Sequence, residues 1–270
     1  MREYSLAYLT ACHSTVPQAL RIADRWGYAH VGLRLAPNSA GAPHQAFLHD
    51  PGMRRETLAV LRDVPVKVFD LEIIRITEHF QLADHLSLLE AGAQLQARAV
   101  LVAADDTDPH RLAHHFASLC DAVAKFGMTA DLEFMPWTAV KHAAQAHRVW
   151  QAAGQPHNAG ILVDALHVGR SDTSLSDIQA IPRQALHYAQ WCDAQPGTHF
   201  SEAQLIHTAR QERLPPGEGG IDLAGLAQAL PAELPISIEV PHLVRQQAMG
   251  DEAWSGLCLD QTRKTLGALA

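Results

Sequence analysis

The amino-acid sequence predicts one α/β domain over residues 1–270, folded as a closed (β/α)8 TIM barrel. Eight short β-rich segments alternate with helix-like segments from one end of the chain to the other. The length of 270 residues is typical of this fold, and no stretch has the composition of an interdomain linker. Several β-rich segments are almost entirely apolar, as expected for parallel strands covered on both faces.

The predicted strands are short runs rich in β-branched and other apolar residues, of which AVLVAA and GILVDA are the clearest. In chain order they are Tyr4–Leu9, His30–Leu35, Val66–Ile74, Ala99–Ala103, Thr129–Phe134, Gly160–Asp164, Ala185–Trp191 and Ile236–Val240.

The predicted helices are amphipathic segments between these strands. Asp222 is expected to cap one of them, and Gly127 and Gly154 are expected to end two others. In order they are Val16–Trp26, Met53–Arg62, Leu82–Leu95, Pro109–Phe126, Val140–Ala153, Leu175–Ala180, Leu223–Leu230 and Leu259–Leu269.

A doubly wound open sheet is the competing architecture. Its dinucleotide-binding form requires a GxGxxG motif after an early strand, whereas the first predicted strand is followed by TACHST. The closed barrel is therefore preferred. The longest irregular stretch, Asp193–Gly220, is predicted to be a lid or a pocket wall on the catalytic face.

Charge and amino-acid composition indicate which kinds of molecule the protein is expected to bind and where it is expected to be located. The net charge of −8 and the absence of a Lys/Arg-rich stripe argue against nucleic acid binding, which leaves a small substrate. The first residues lack the apolar core of a secretion signal, and no apolar run is long enough for a membrane span. The four cysteines form no CxxC pair and are interpreted as reduced thiols. A cytoplasmic protein without membrane partners is predicted.

Oxygen-donating side chains stand near the ends of four consecutive predicted strands: Glu133, Asp164, Gln190 and Glu239. In a (β/α)8 barrel these ends meet at one mouth, where reacting groups gather. Three carboxylates and an amide oxygen suit a hard divalent ion, which would also relieve the repulsion between the carboxylates. Taken singly, each acidic residue could instead be a helix cap or a salt-bridge partner.

Five segments carry a more specific resemblance: LEFMPW, LVDALHVGRSDTS, LHYAQWCDA, RLPPGEGGIDL and ISIEVP. They resemble the xylose isomerase-like TIM barrel superfamily of sugar phosphate isomerases and epimerases, which also includes AP endonuclease 2-like proteins. The resemblance implies one divalent metal held by Glu133, Asp164, Gln190 and Glu239. Many members have histidine where this chain has Gln190, and the amide favours Mn²⁺ or Mg²⁺, with Co²⁺ or Zn²⁺ as alternatives.

The resemblance also implies substrate-binding residues. His167, in a D-x-x-H arrangement with Asp164, would bind a substrate oxygen, although it could simply steady the turn after the strand. Arg213, before PPGEGG, would approach the substrate. From their positions late in the second and third strands, and not from the resemblance, Arg34 and Glu72 are expected to line the mouth and bind the substrate, with rim salt bridges as the alternative. Acidic residues in and after the GEGG segment argue against a phosphorylated substrate.

The function implied is a divalent-metal-dependent isomerase or epimerase on a small polyhydroxylated sugar or hydroxy-carbonyl compound. Glu133 and Glu239 would act as base and acid around an enediolate. A dehydratase of the 3-dehydroshikimate or inosose type is the alternative, because it shares the first chemical step. A non-catalytic sugar-binding module and a zinc-dependent DNA-repair endonuclease are less favoured. The resemblance also implies a homo-oligomer.

Overall fold

A computed structural model of the chain describes residues 2–39 and 41–268, in which eight parallel strands close into a barrel. Each strand pairs with the next one along the chain, and the eighth pairs with the first. The strands are β1 (Tyr4–Leu6), β2 (His30–Leu33), β3 (Lys67–Ile76), β4 (Ala99–Ala104), β5 (Thr129–Glu133), β6 (Ala159–Asp164), β7 (Ala189–Trp191) and β8 (Ile236–Ile238). The predicted fold class is confirmed.

The helices surround this barrel and follow the strands in sequence. They are α1 (Val16–Trp26), α2 (Pro51–Asp63), α3 (Leu86–Gln94), α4 (Pro109–Ala124), α5 (Ala143–Ala152), α6 (Ala165–Gly169), α7 (Leu175–Gln179), α8 (Glu202–Gln211), α9 (Leu223–Ala229) and α10 (Leu243–Gly267). Three 3-10 turns lie at Tyr8–Ala11, Leu82–His85 and Arg183–Ala185. None of the helices in the described ranges has the length and apolar character needed to cross a bilayer.

Local signals in the sequence set several helix ends. Asp50 and Asp108 each accept backbone N–H bonds from the first turn that follows, and a proline occupies the first position of both helices. Asp222 caps α9 as predicted, through an N–H bond from Gly225. The two glycines predicted as helix stops, Gly127 and Gly154, adopt the positive φ angles of 76° and 85° that glycine tolerates best.

The apolar core has two layers. One lies between the strands and the surrounding helices and includes the buried side chains of Leu20, Phe116 and Trp254. The other fills the barrel interior with a small cluster that includes Phe69 and Tyr188. Because side chains fill this interior, the open space for a ligand lies at the mouth, where the strands end.

Several sequence predictions were wrong in detail. The first strand ends at Leu6 because the chain turns at Tyr8–Ala11, and β7 begins at Ala189 rather than Ala185. The stretch predicted as irregular contains the ten-residue helix α8, which the apolar pattern did not reveal because only Ala209 of that helix is buried. The predicted last helix belongs to the longer α10, and its final residue, Leu269, lies outside the described residues.

Candidate active site

The four candidate metal ligands lie on neighbouring strands at the mouth of the barrel. Glu133 and Asp164 are the last residues of β5 and β6, and Gln190 lies opposite Asp164 in the register of β6 and β7. Glu239 follows β8 directly and donates its backbone N–H to Trp191, which ties it to β7. All four are almost completely buried, with exposed fractions between 0 and 4%.

His167 completes a compact group with two of these residues. The potential ligand atoms of Glu133, Asp164 and His167 all lie within 4.8 Å of one another. His167 Nε2 is 3.4 Å from Glu133 Oε1, while its Nδ1 is buried without a partner. Asp164 Oδ1 accepts the backbone N–H groups of Leu166 and His167, which fixes the carboxylate at the start of α6.

Arg213 joins the carboxylates of β6 and β8. Its Nη1 lies 2.6 Å from Asp164 Oδ2, and its Nη2 lies 2.7 Å from Glu239 Oε2. The guanidinium is 3% exposed and also donates Nε–H to the carbonyl of Ala209 at the end of α8. The sequence placed Arg213 near a substrate; the structure places it directly on two of the candidate ligands.

Gln190 is the unusual member of the group. Its side chain is fully buried, yet neither Oε1 nor Nε2 has a hydrogen-bond partner in the part of the chain that the structure describes. A buried amide without partners is costly, by roughly 1–3 kcal/mol for each unpaired group. The amide oxygen of Gln190, next to Asp164, is therefore available to bind a ligand such as a metal ion at the mouth.

Burial dominates the electrostatics of these carboxylates. It raises the pKa of Glu133, and it raises the pKa of Glu239 well above its ordinary value despite the nearby guanidinium. Burial also acts to raise the pKa of Asp164, but Arg213 and His167 outweigh it and lower that pKa. Three carboxylates face one guanidinium, so the ionised cluster keeps two uncompensated negative charges, which a divalent cation would balance.

Above the carboxylates lies a cavity of about 430 Å³, a size that suits a small molecule. Tyr8 and Trp137 contribute to its walls, and Trp137 meets the His167 ring edge to face at 5.1 Å. Arg34 and Glu72 line the same cavity and form a buried ion pair of 2.6 Å. The pair therefore lines the mouth of the barrel, and at the same time it is a salt bridge.

A single buried carboxylate holds the loop that carries Arg213. Asp193 Oδ2 accepts the backbone N–H groups of Gly217 and Gly219, and Oδ1 accepts those of Ala194 and Ile221. A side chain on Gly219 would bring its Cβ within 2.3 Å of the Ala194 carbonyl oxygen, so only glycine fits there. The PPGEGG segment is therefore anchored to the end of β7.

Sequence reasoning missed several residues of the cavity wall, among them Tyr8 and Arg210. Tyr8 was assigned to a strand but lies in the 3-10 turn after β1, and its ring lies under the Arg34 guanidinium at 4.6 Å. Arg210 belongs to α8, the helix that the sequence did not reveal. The capping-box pattern S-x-x-Q at Ser201–Gln204 was the signal that could have revealed α8.

Cys12 is a half-buried thiol in the cavity wall, and we expect it to react slowly with alkylating agents. Burial, reinforced by Asp251, raises its pKa to about 11. At pH 8 its thiolate fraction, and hence its alkylation rate, should be on the order of a hundredfold below that of a free thiol. Iodoacetamide kinetics from pH 7 to 10 with peptide mapping, and Cys12→Ser as the control, would measure this. Labelling of Cys12 at the rate of free glutathione at pH 8 would contradict it.

Comparison with known families identifies the scaffold. Residues 71–254, more than half of the chain, match the family described as xylose isomerase-like TIM barrel. The chain belongs to that family. The match confirms the relationship that the five sequence segments indicated, and it begins in β3, so it includes all four candidate ligands.

Known proteins similar to this xylose isomerase-like barrel include a curated enzyme. The chain is 27% identical over 201 residues to a 3-dehydroshikimate dehydratase of Pseudomonas aeruginosa. That alignment covers 73% of this chain and 28% of the dehydratase, so the chain spans little more than a quarter of the length of this relative.

Two solved structures show the same architecture. The IolI protein, crystallised with a zinc atom, superimposes with a TM-score of 0.83 and 16% identity, and the alignment covers 99% of each chain. D-allulose 3-epimerase from Methylomonas sp., in complex with D-allulose, gives a TM-score of 0.71 and 14% identity and covers 98% of this chain and 97% of the epimerase. At these identities the similarity concerns the fold.

Proposed function

We propose that this xylose isomerase-like barrel is a divalent-metal-dependent enzyme that removes the proton beside the carbonyl of a small polyhydroxylated compound. The observation that carries the proposal is the arrangement at the ends of β5 to β8. There the carboxylates of Glu133 and Asp164 lie with His167 in one buried group, and the unpartnered amide of Gln190 lies next to Asp164. The IolI structure, on the same fold, contains a zinc atom, which supports the presence of a metal site in this barrel.

The donor set fits a divalent cation. Glu133, Asp164, Gln190 and Glu239 would hold it, which gives Gln190 Oε1 a partner and offsets the two uncompensated charges. The cation would supply Lewis acidity, which polarises the substrate carbonyl and makes the neighbouring C–H more acidic.

The protein residues then have distinct roles in moving the proton. Glu133 and Glu239 would accept and return the proton, and in the metal-free protein burial raises the pKa of both above that of an ordinary carboxylate. His167 Nε2, next to Glu133, is positioned to donate a hydrogen bond to a substrate oxygen. Arg213 bridges Asp164 and Glu239 and fixes their positions, and Trp137 would exclude water from one side of the cavity.

Two product outcomes share this first step. Return of the proton to a neighbouring carbon or to the opposite face gives isomerisation or epimerisation, while loss of a β-hydroxyl gives dehydration. The epimerase of the same fold fits the first outcome. The similarity to the curated 3-dehydroshikimate dehydratase, with 27% identity over 201 residues, favours the second.

Metal binding is the first experiment. We expect elemental analysis to find about one equivalent of divalent metal in protein supplied with Mn²⁺, and Glu239→Gln to lose most of it. The matched control is Glu218→Gln, which removes a carboxylate paired with Arg245 outside the candidate site. Wild-type protein that takes up no metal would overturn the proposal and favour a non-catalytic binding module.

Product analysis separates the two outcomes. The metal-loaded enzyme is incubated with 3-dehydroshikimate, with an inosose and with D-allulose, and the products are followed by ultraviolet absorbance and chromatography. Dehydration of 3-dehydroshikimate produces an aromatic acid with new absorbance, whereas isomerisation or epimerisation produces a compound of unchanged mass. Turnover of none of these by the metal-loaded protein would limit the proposal to other polyhydroxylated carbonyl compounds.

A further inference from the structure

We propose that the cavity above the candidate metal ligands contains a subsite for a carboxylate of the substrate, formed by Arg34, Arg75 and Arg210. The inference deepens the proposed function and rests on it, because it narrows the substrate from any small polyhydroxylated compound to a singly charged organic acid. All three arginines line the same cavity as Glu133, His167 and Glu239.

Arg34 provides an unused donor in the wall of the cavity. Arg34 is 9% exposed, and its Nη2 donates a hydrogen bond to Glu72 Oε2 at 2.6 Å. Its Nε is buried and has no hydrogen-bond partner among residues 2–39 and 41–268, and the guanidinium lies over the Tyr8 ring. A buried N–H donor without an acceptor is unfavourable unless a ligand supplies one.

Arg75 and Arg210 add charge from two other elements. Arg75, near the end of β3, donates its Nε–H to Asp105 at 2.7 Å and keeps its remaining N–H donors available. Arg210, on α8, is an exposed residue that has no ion-pair or side-chain hydrogen-bond partner within the described parts of the chain. Burial lowers the pKa of Arg210, and Arg75 and Arg34 lower it further, so the three cations are close enough to repel one another.

The charge balance of this group favours a monoanion. Glu72 and Asp105 pair with two of the three guanidiniums, which leaves one positive charge without a partner in the described structure. A planar carboxylate carries one negative charge and accepts paired N–H bonds from a guanidinium fork. A hydroxyl of a neutral sugar could accept the Arg34 Nε–H, but a neutral sugar would leave the positive charge without a partner.

Phosphate fits less well. It carries more charge than the group leaves uncompensated, and proteins usually bind it with backbone N–H groups of a glycine-rich loop. In this chain the N–H groups of Gly217 and Gly219 in such a loop are already bonded to Asp193.

Calorimetric titration of the full-length, Mn²⁺-loaded protein tests the subsite without requiring turnover. The probes are shikimate and quinate, each compared with its neutral methyl ester, and inorganic phosphate. We expect at least one acid to bind about tenfold or more tightly than its ester, and Arg210→Gln to remove most of that preference. Arg55→Gln is the matched control, since Arg55 is an exposed arginine on α2 and does not line the cavity.

Four outcomes contradict the subsite. Equal binding of acid and ester, an unchanged preference in Arg210→Gln, or no binding of either acid would overturn it, and tighter binding of phosphate would assign the arginines to a different anion. Metal content is measured on the same samples. If the protein takes up no metal when Mn²⁺ is supplied but still binds the acid through Arg210, the subsite stands and the proposed function is refuted. The two failures are therefore distinguishable.

Discussion

Replacing Arg213 with methionine is expected to lower the free energy of unfolding of the metal-free protein by about 3–5 kcal/mol. The guanidinium is the cation that directly pairs with both Asp164 and Glu239, and all three groups are at least 95% removed from solvent. Methionine retains much of the volume of the side chain but leaves two buried carboxylates without a counter-charge. Chemical denaturation at pH 7 with excess chelator would measure the loss.

The same variant has a matched control and a pH signature. Arg245→Met removes a partly exposed partner of Glu218 and should cost about 0–1 kcal/mol. Arg213 lowers the folded-state pKa of Asp164, so its contribution is present above the ordinary pKa of about 3.9 and is lost as the pH falls through the lower folded value. The deficit of the variant should therefore stay constant from pH 7 down to about pH 4 and shrink at lower pH. A deficit that is small or independent of pH would show that the pairing contributes little.

Replacing Glu133 with glutamine is expected to lower kcat by about a thousandfold, within the range of a lost general acid or base. The amide keeps the shape of the side chain at the end of β5 and can still contact His167, but it cannot accept a proton. Rates are measured on whichever substrate the product screen identifies, at saturating Mn²⁺ and with the metal content of each sample determined.

Glu78→Gln provides the comparison for Glu133. Glu78 is an exposed carboxylate that follows β3 and does not line the cavity, so its variant should keep wild-type kcat. A Glu133→Gln enzyme that retains both its metal and a kcat within threefold of wild type would remove Glu133 from the proton-transfer step. Loss of metal together with loss of activity would assign it mainly to the metal site.

The position of the candidate ligands could be predicted from the sequence because parallel strands impose it. In a closed barrel the C-terminal ends of β5 to β8 meet at one mouth. Because Glu133, Asp164 and Glu239 stand at the ends of apolar runs in the sequence, their proximity could be predicted from the sequence alone. The apolar runs themselves were informative because both faces of each strand are buried.

Side-chain pairing could not be predicted in the same way. Whether Arg213 contacts a substrate or the carboxylates depends on the path of the loop after α8, which Asp193 fixes through backbone bonds that leave no periodic pattern. The helix α8 itself was missed because it lies against the mouth with a mostly exposed surface, so the apolar repeat that marks the other helices is weak there.

The candidate metal ligands and several side chains that shape the cavity come from different parts of the chain. The candidate metal ligands all come from β5 to β8, whereas Tyr8, Arg34 and Arg75 reach the cavity from β1 to β3. A change in the first third of the chain can therefore alter which compound is accepted without disturbing the group that would activate it. Exchange of the segment from β1 to β3 between barrels of this family would be a direct route to new specificities, with the reactive half inherited intact.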